Sequence, residues 1–131
     1  MLTAKDIMTP SLTTIGPQNT IHDAIEKLVE HGYSGLPVTD DQGQLVGIVT
    51  EFAMLALAYD QSITRQTVAQ HMTCEVITVD YDTPVNRIAD LCIVNRVRRL
   101  PVLKDGKLVG LVARRDVLKA LHEAEAPAGA C

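Results

Sequence analysis

The sequence predicts a mixed α/β (α+β) chain made of two copies of one β-α-β-β-α unit packed with pseudo-two-fold symmetry. Three observations predict it. The chain matches itself when slid by 64 places: Met8-Thr9 meets Met72-Thr73, Thr14 meets Thr78, and Leu36-Pro37-Val38 meets Leu100-Pro101-Val102. After a one-residue deletion, Leu45-Val46-Gly47 meets Leu108-Val109-Gly110. Each copy also carries an apolar stripe at helical spacing, followed by two short apolar runs separated by a turn signal.

In order along the chain, each copy opens with a β-branched run, Leu12 to Ile15 and Val76 to Val79, read as a strand. A helix follows. In the first copy Asn19 or Thr20 caps it, and Ile21, Ala24, Ile25, Leu28 and Val29 form its stripe. In the second, Thr83 caps, Pro84 takes the first helical position, and Val85, Ile88, Ala89, Cys92 and Ile93 form the stripe. Gly32 and Asn95 stop the two helices, because both residues tolerate a left-handed backbone. A hairpin comes next, turned by Asp41-Gln42-Gly43 or by Asp105-Gly106. Its return strands, Leu45 to Val49 and Leu108 to Val112, are almost wholly apolar and are expected to be buried on both faces. A second helix carries Met54, Leu55 and Leu57, or Val117, Leu118 and Leu121.

A unit of this size buries too little surface to stand comfortably alone, so the copies are expected to share a core and leave equivalent clefts between them. The expected division is 1–64 for the first repeat, 65–122 for the second and 123–131 for a flexible tail.

Composition narrows the function. The 131 residues are 47% hydrophobic and 21% charged, an ordinary globular balance. The net charge of −4 and an aromatic content of 3% argue against a general nucleic-acid binder. No apolar run approaches membrane-spanning length, and the N-terminus lacks a signal pattern, so no membrane association and a cytoplasmic location are expected. Cys74, Cys92 and Cys131 are an odd set without paired spacing, which suits a reducing compartment.

The doubled Leu-Pro-Val and Leu-Val-Gly-apolar-Val segments, Asp6-Ile7-Met8-Thr9, and Ala113-Arg114-Arg115-Asp116 resemble the tandem CBS domain pair, or Bateman module, named after cystathionine β-synthase. The likeness covers residues 1–121. It implies a flat module that forms a homodimer and regulates an attached or partner protein without catalysing a reaction. It further implies clefts that bind an adenosine-type ligand, namely AMP, ADP, ATP or S-adenosylmethionine, with no cofactor required. This chain carries no attached effector sequence, so its regulated partner, which the sequence does not name, is expected to act in trans.

The resemblance also points to residues. The family's ribose-binding element, glycine-apolar-x-Ser/Thr-x-x-Asp, is halved here: repeat 2 keeps the acid as Asp116 but has Ala113 for the hydroxyl, and repeat 1 keeps Thr50 but has Ala53 for the acid. A carboxylate accepts hydrogen bonds from two vicinal ribose hydroxyls at once, so the cleft owning Asp116 is the better nucleoside site. The bland alternative for Asp116 is a first-turn acid favouring the helix dipole, and for Thr50 it is an N-cap. By the family's arrangement Asp116 is paired with Thr14, Tyr33, Ser34 and Gly35, with Gly35 leaving room next to Pro37. The opposite cleft takes Thr78, Val97 and Arg99 with Thr50, and phosphates that extend toward the centre would let Arg99 serve either cleft.

Nine of the twelve basic residues lie between Arg87 and Lys119. Arg98 and Arg99 directly precede Leu100-Pro101-Val102, where family members place phosphate-contacting residues, and Arg115 adjoins Asp116. Guanidinium forks match phosphate oxygens, while a charged edge strand explains the same arginines without a ligand.

The remaining patterns are bland. His71 and Cys74 have no second pair to complete a tetrahedral metal site, so no metal is expected. His22 and His31 lie off the helical stripe and are expected to face water. No nucleophile-base order stands out, so an enzyme is not expected. The alternative to a ligand sensor is a structural dimerisation or protein-interaction module whose clefts have degenerated.

Overall fold

The computed structural model describes residues 1–10 and 12–125. Its elements are α1 (Ala4–Ile7), α2 (Ile21–His31), β1 (Gly35–Thr39), β2 (Leu45–Thr50), α3 (Glu51–Leu57), α4 (Gln61–Thr64), α5 (Val68–His71), β3 (Val79–Asp80), α6 (Val85–Asn95), β4 (Arg99–Lys104), β5 (Lys107–Ala113) and α7 (Arg114–Glu125). The chain divides into two compact units, and they are offset from the sequence repeats. One is Thr13–Val76. The other is split in sequence: it joins Met1–Leu12 to the chain from Ile77 onward.

In the Thr13–Val76 unit, β1 and β2 form an antiparallel hairpin with a bulge between Val38 and Thr39. The expected first strand contracts to one parallel bridge, Ile15 to Val38. Thr20 caps α2 by accepting the Asp23 N–H at 3.1 Å, and the Asp23 carboxylate accepts the Thr20 N–H at 3.1 Å. This reciprocal pair satisfies two of the amide donors that a helix start leaves open. Gly32 ends α2 at φ 68°. Ile21, Ala24 and Leu28 bury against Leu36, Val38 and Val49.

The split unit repeats this plan. Its hairpin β4-β5 bulges between Val102 and Leu103, and β3 adds a short parallel strand beside β4. Asp105 and Gly106, at φ 53° and 82°, make the two-residue turn the sequence predicts. Helix α6 starts one residue later than expected: Pro84 is the N-cap, and the Thr83 hydroxyl instead accepts the Asp80 N–H at 3.0 Å. The helix also ends one residue later. Arg96 takes the left-handed position at φ 53°, while the Asn95 amide donates to the Leu91 carbonyl at 3.0 Å. Arg96 stands where the other repeat has Gly32.

Two expectations about burial are corrected. The return strands alternate instead of burying both faces: Gly47, Val49, Gly110 and Val112 are buried, and their neighbours are half-buried. Val29 and Ile93, assigned to the core stripes, are 77% and 73% exposed. Each sits at the edge of its stripe, beyond what its own two- or three-stranded sheet covers. Leu55 and Leu118 are likewise exposed on α3 and α7. Helix α7 continues to Glu125, and Lys119 pairs with Glu123 across its last turns. The rest of the expected tail, with Cys131, lies outside the described residues.

The offset of units from repeats follows from two backbone pairings. Thr9 and Leu111 exchange backbone hydrogen bonds at 2.8 and 3.1 Å, and Thr73 and Ile48 do so at 2.9 Å each way. Each Met-Thr segment therefore lies along a return strand, opposite a glycine. The N-terminal segment completes the second hairpin, and the linker after α4 completes the first. Further bonds fix the N-terminal segment, from Ala4 to the Thr83 carbonyl and from Lys5 to the Tyr81 carbonyl.

Candidate functional site

The hairpin and the helix after it place the motif residues at matching corners of the two units. In the split unit Arg99 lies opposite Ala113 across β4 and β5, and the Arg114 N–H donates to the Arg98 carbonyl at 2.8 Å. That bond brings the start of β4 to the start of α7. Arg98, Arg99, Arg114 and Arg115 thus gather at one helix start, with Arg98, Arg114 and Arg115 exposed and Arg99 half-buried. Asp116 belongs to the same corner. It is half-buried, and its Oδ2 accepts the Ala113 N–H at 3.1 Å.

The matching corner in Thr13–Val76 has the same backbone and different side chains. Gly35 lies opposite Thr50, and the Glu51 N–H donates to the Ser34 carbonyl at 3.0 Å. The Thr50 hydroxyl accepts the Ala53 N–H at 3.2 Å and caps α3. The halved motif is therefore a halved capping box. Repeat 1 keeps the hydroxyl that bonds the third helical amide, and repeat 2 keeps the acid that bonds the cap amide. The capping roles of Thr50 and Asp116 are both present. A carboxylate has about four lone-pair sites, so one bond to Ala113 leaves Asp116 further accepting capacity.

Thr14 and Tyr33 belong to a second cluster in the Thr13–Val76 unit. Tyr33 follows the helix stop at Gly32, donates its N–H to the Leu28 carbonyl at 3.2 Å, and is 39% exposed. Its ring stacks on His31, with centroids 5.2 Å apart and planes 9° apart. The Thr13 hydroxyl donates to the Tyr33 hydroxyl at 3.5 Å. The Lys27 ammonium donates to the Thr14 carbonyl at 2.9 Å. Lys27 and His31 are one helical turn apart on α2, so one face of that helix supplies both. Sequence reasoning missed this use of Lys27 and His31. Their i, i+4 spacing was visible, but nothing local shows that the chain before Ile15 returns to lie beside α2. Pro37 is buried, with its carbonyl accepting the Ile15 N–H at 3.1 Å.

Thr78 and Val97 are half-buried in the split unit, and Val97 packs against its core. No hydrogen bond joins the two. Thr14, Tyr33, Ser34, Gly35, Pro37 and Thr50 lie in one unit, and Thr78, Val97, Arg98, Arg99, Arg115 and Asp116 in the other. Burial pushes the Cys92 thiol up, as expected for a core cysteine, while Cys74 is exposed. Among the described residues no group of three His, Cys, Asp or Glu side chains could hold a metal ion, and no helix is long and apolar enough to cross a membrane.

Comparison with known proteins places this geometry. The family model described as the CBS domain matches residues 4–59 and again 68–123. A 17.7 kDa protein of Acidianus ambivalens is 36% identical over 116 residues, which is 88% of this chain and 70% of that protein. The crystal structure of CBSX2 in complex with AMP superposes with a TM-score of 0.85 at 34% identity, covering 95% of this chain and 99% of that one. CBSX2 is a CBS domain-containing chloroplastic protein of Arabidopsis thaliana. Hypoxic response protein I with two coordinated zinc ions superposes at 0.81 with 27% identity, covering 92% and 99%; that protein is known from Mycobacterium tuberculosis. With the CBS model matched over both repeats, this chain belongs to the CBS domain family as a tandem CBS pair.

Proposed function

We propose that the chain is a regulatory module that binds an adenosine-type nucleotide, AMP, ADP, ATP or S-adenosylmethionine, and passes its state to a partner protein in trans. The observation that carries this reading is the corner at the start of α7. There a half-buried carboxylate shares one helix start with the backbones of four arginines, Arg98, Arg99, Arg114 and Arg115. Asp116 accepts from the ribose hydroxyls, and Arg99, with Arg98 and Arg115, faces the phosphate. The amides at the start of a twelve-residue helix add their own attraction for the anion. Within the Thr13–Val76 unit, Thr14, Tyr33, Ser34 and Gly35 are the residues we assign to holding a base. The relative CBSX2, crystallised with AMP, lends support from outside the chain. The corner with Thr50 and Ala53 lacks the acid and binds more weakly.

The module acts as a homodimer in the cytoplasm. Phe52, Ile93, Val94 and Leu118, between 69% and 86% exposed on helices, are apolar surface suited to a second copy. Ligand shifts the module only through its differential affinity for two arrangements.

The second reading, a structural dimerisation module with degenerate clefts, draws on one observation: Asp116 already has a structural task at Ala113. Thermal melting with AMP, ADP, ATP and S-adenosylmethionine separates the two, because a ligand that binds the folded state raises the midpoint by mass action. The sensor gives a rise with at least one nucleotide, and Asp116→Ala abolishes it. An unmoved midpoint with all four, in a protein that still dimerises, leaves the structural module.

A further inference from the structure

The Lys27 ammonium changes what the base edge of the Thr13–Val76 unit can accept. It is half-buried, and one of its three donors goes to the Thr14 carbonyl at 2.9 Å. Among the described residues no carboxylate pairs with it. Two N–H donors and the ammonium charge therefore stand beside the Thr13–Thr14 segment, whose Thr13 hydroxyl bonds the Tyr33 of the stacked His31–Tyr33 pair. The Thr14 carbonyl is already held by a cation. The second repeat has Leu91 at the position of Lys27, so its Thr78 edge carries no such donor.

We infer that Lys27 is a specificity residue that turns this edge toward purines bearing a carbonyl at the six position, hypoxanthine and guanine, over adenine. A lysine meets the O6 and N7 acceptors of an oxopurine together, whereas adenine offers N7 beside an amino donor that the ammonium repels. The aromatic pair takes any purine face and does not discriminate. The charge beside Thr14 does. This rests on the proposed role of the Thr14–Tyr33 edge in holding the base, and it widens the ligands of that site from adenosine compounds to purine nucleotides, ranked by their six-position group.

The test is calorimetric titration of the full chain with IMP, GMP and AMP, on the parent, Lys27→Leu and Lys27→Arg. Lys27→Leu copies the residue at Leu91, and a thermal melt checks that each variant folds. The parent is expected to bind IMP and GMP at least about tenfold more tightly than AMP. Lys27→Arg keeps the order, and Lys27→Leu removes or inverts it. A parent that prefers AMP, or a preference for oxopurines that Lys27→Leu leaves intact, overturns the inference while the nucleotide site stands. Failure of all three nucleotides to bind overturns both.

Discussion

Met8 occupies the space that Gly110 leaves by having no side chain. A Cβ at Gly110 would fall 2.5 Å from Met8 Sδ, 2.9 Å from its Cγ and 3.1 Å from the Thr9 carbonyl oxygen. Met72 and Gly47 repeat the arrangement, at 2.6 Å to Sδ and 2.9 Å to the Thr73 carbonyl oxygen. These glycines are the reason a Met-Thr segment can lie against each return strand. Through them the first residues of the chain become part of the second repeat's core.

Gly110→Ala is therefore expected to destabilise the protein by about 1–3 kcal/mol through overpacking. The backbone oxygen of Thr9 cannot move aside without loosening its pair with Leu111. Met8→Ala in the same chain makes room for the new methyl, so the double variant should lose less than the sum of the single losses. Urea unfolding of the four proteins gives this coupling as a double-mutant cycle. Additive losses would mean that Met8 and Gly110 do not share the space.

The duplicated grammar was legible in the sequence because its signals are local. Leu-Pro-Val and the Asp105-Gly106 turn each encode a strand or a reversal within a few residues, and the structure places them as expected. The offset between units and repeats was not legible, because the partner of Gly110 comes from residues 8 and 9, about a hundred positions away. Periodicity reports which face of a helix is apolar, not how much sheet is present to cover it; hence Val29 and Ile93 were assigned to a core that stops short of them. At the site, the motif residues were visible as letters. Their use in helix capping follows from Thr50 and Asp116 standing one at the cap and one at the third helical position. Lys27 was invisible, since its bond to Thr14 spans the turn between the first segment and α2.

Stability should fall in acid through Asp23. The Thr20 N–H, and then the Asn19 side chain, donate to its carboxylate and hold it below its ordinary value of 3.8. A lowered folded value means the charged form is favoured in the native state. Its contribution is full above the unfolded value and is lost as pH falls through the lower, folded one. The parent's urea midpoint should therefore drop as pH falls below about 4, and Asp23→Asn, which cannot titrate, should show a shallower fall. The gap between the two proteins should be widest at neutral pH. A gap that does not narrow in acid would assign the bond no charge-dependent share.

The account turns on Asp116 accepting from ribose hydroxyls, and that claim can be measured apart from the base and the phosphate. Titrating the parent and Asp116→Ala with AMP and 2′-deoxy-AMP isolates it. The parent is expected to bind AMP about tenfold more tightly than the deoxy compound, the weight of one charged hydrogen bond; in Asp116→Ala the preference should vanish. An equal ribose preference in both proteins, or none in the parent, would contradict the role given to Asp116.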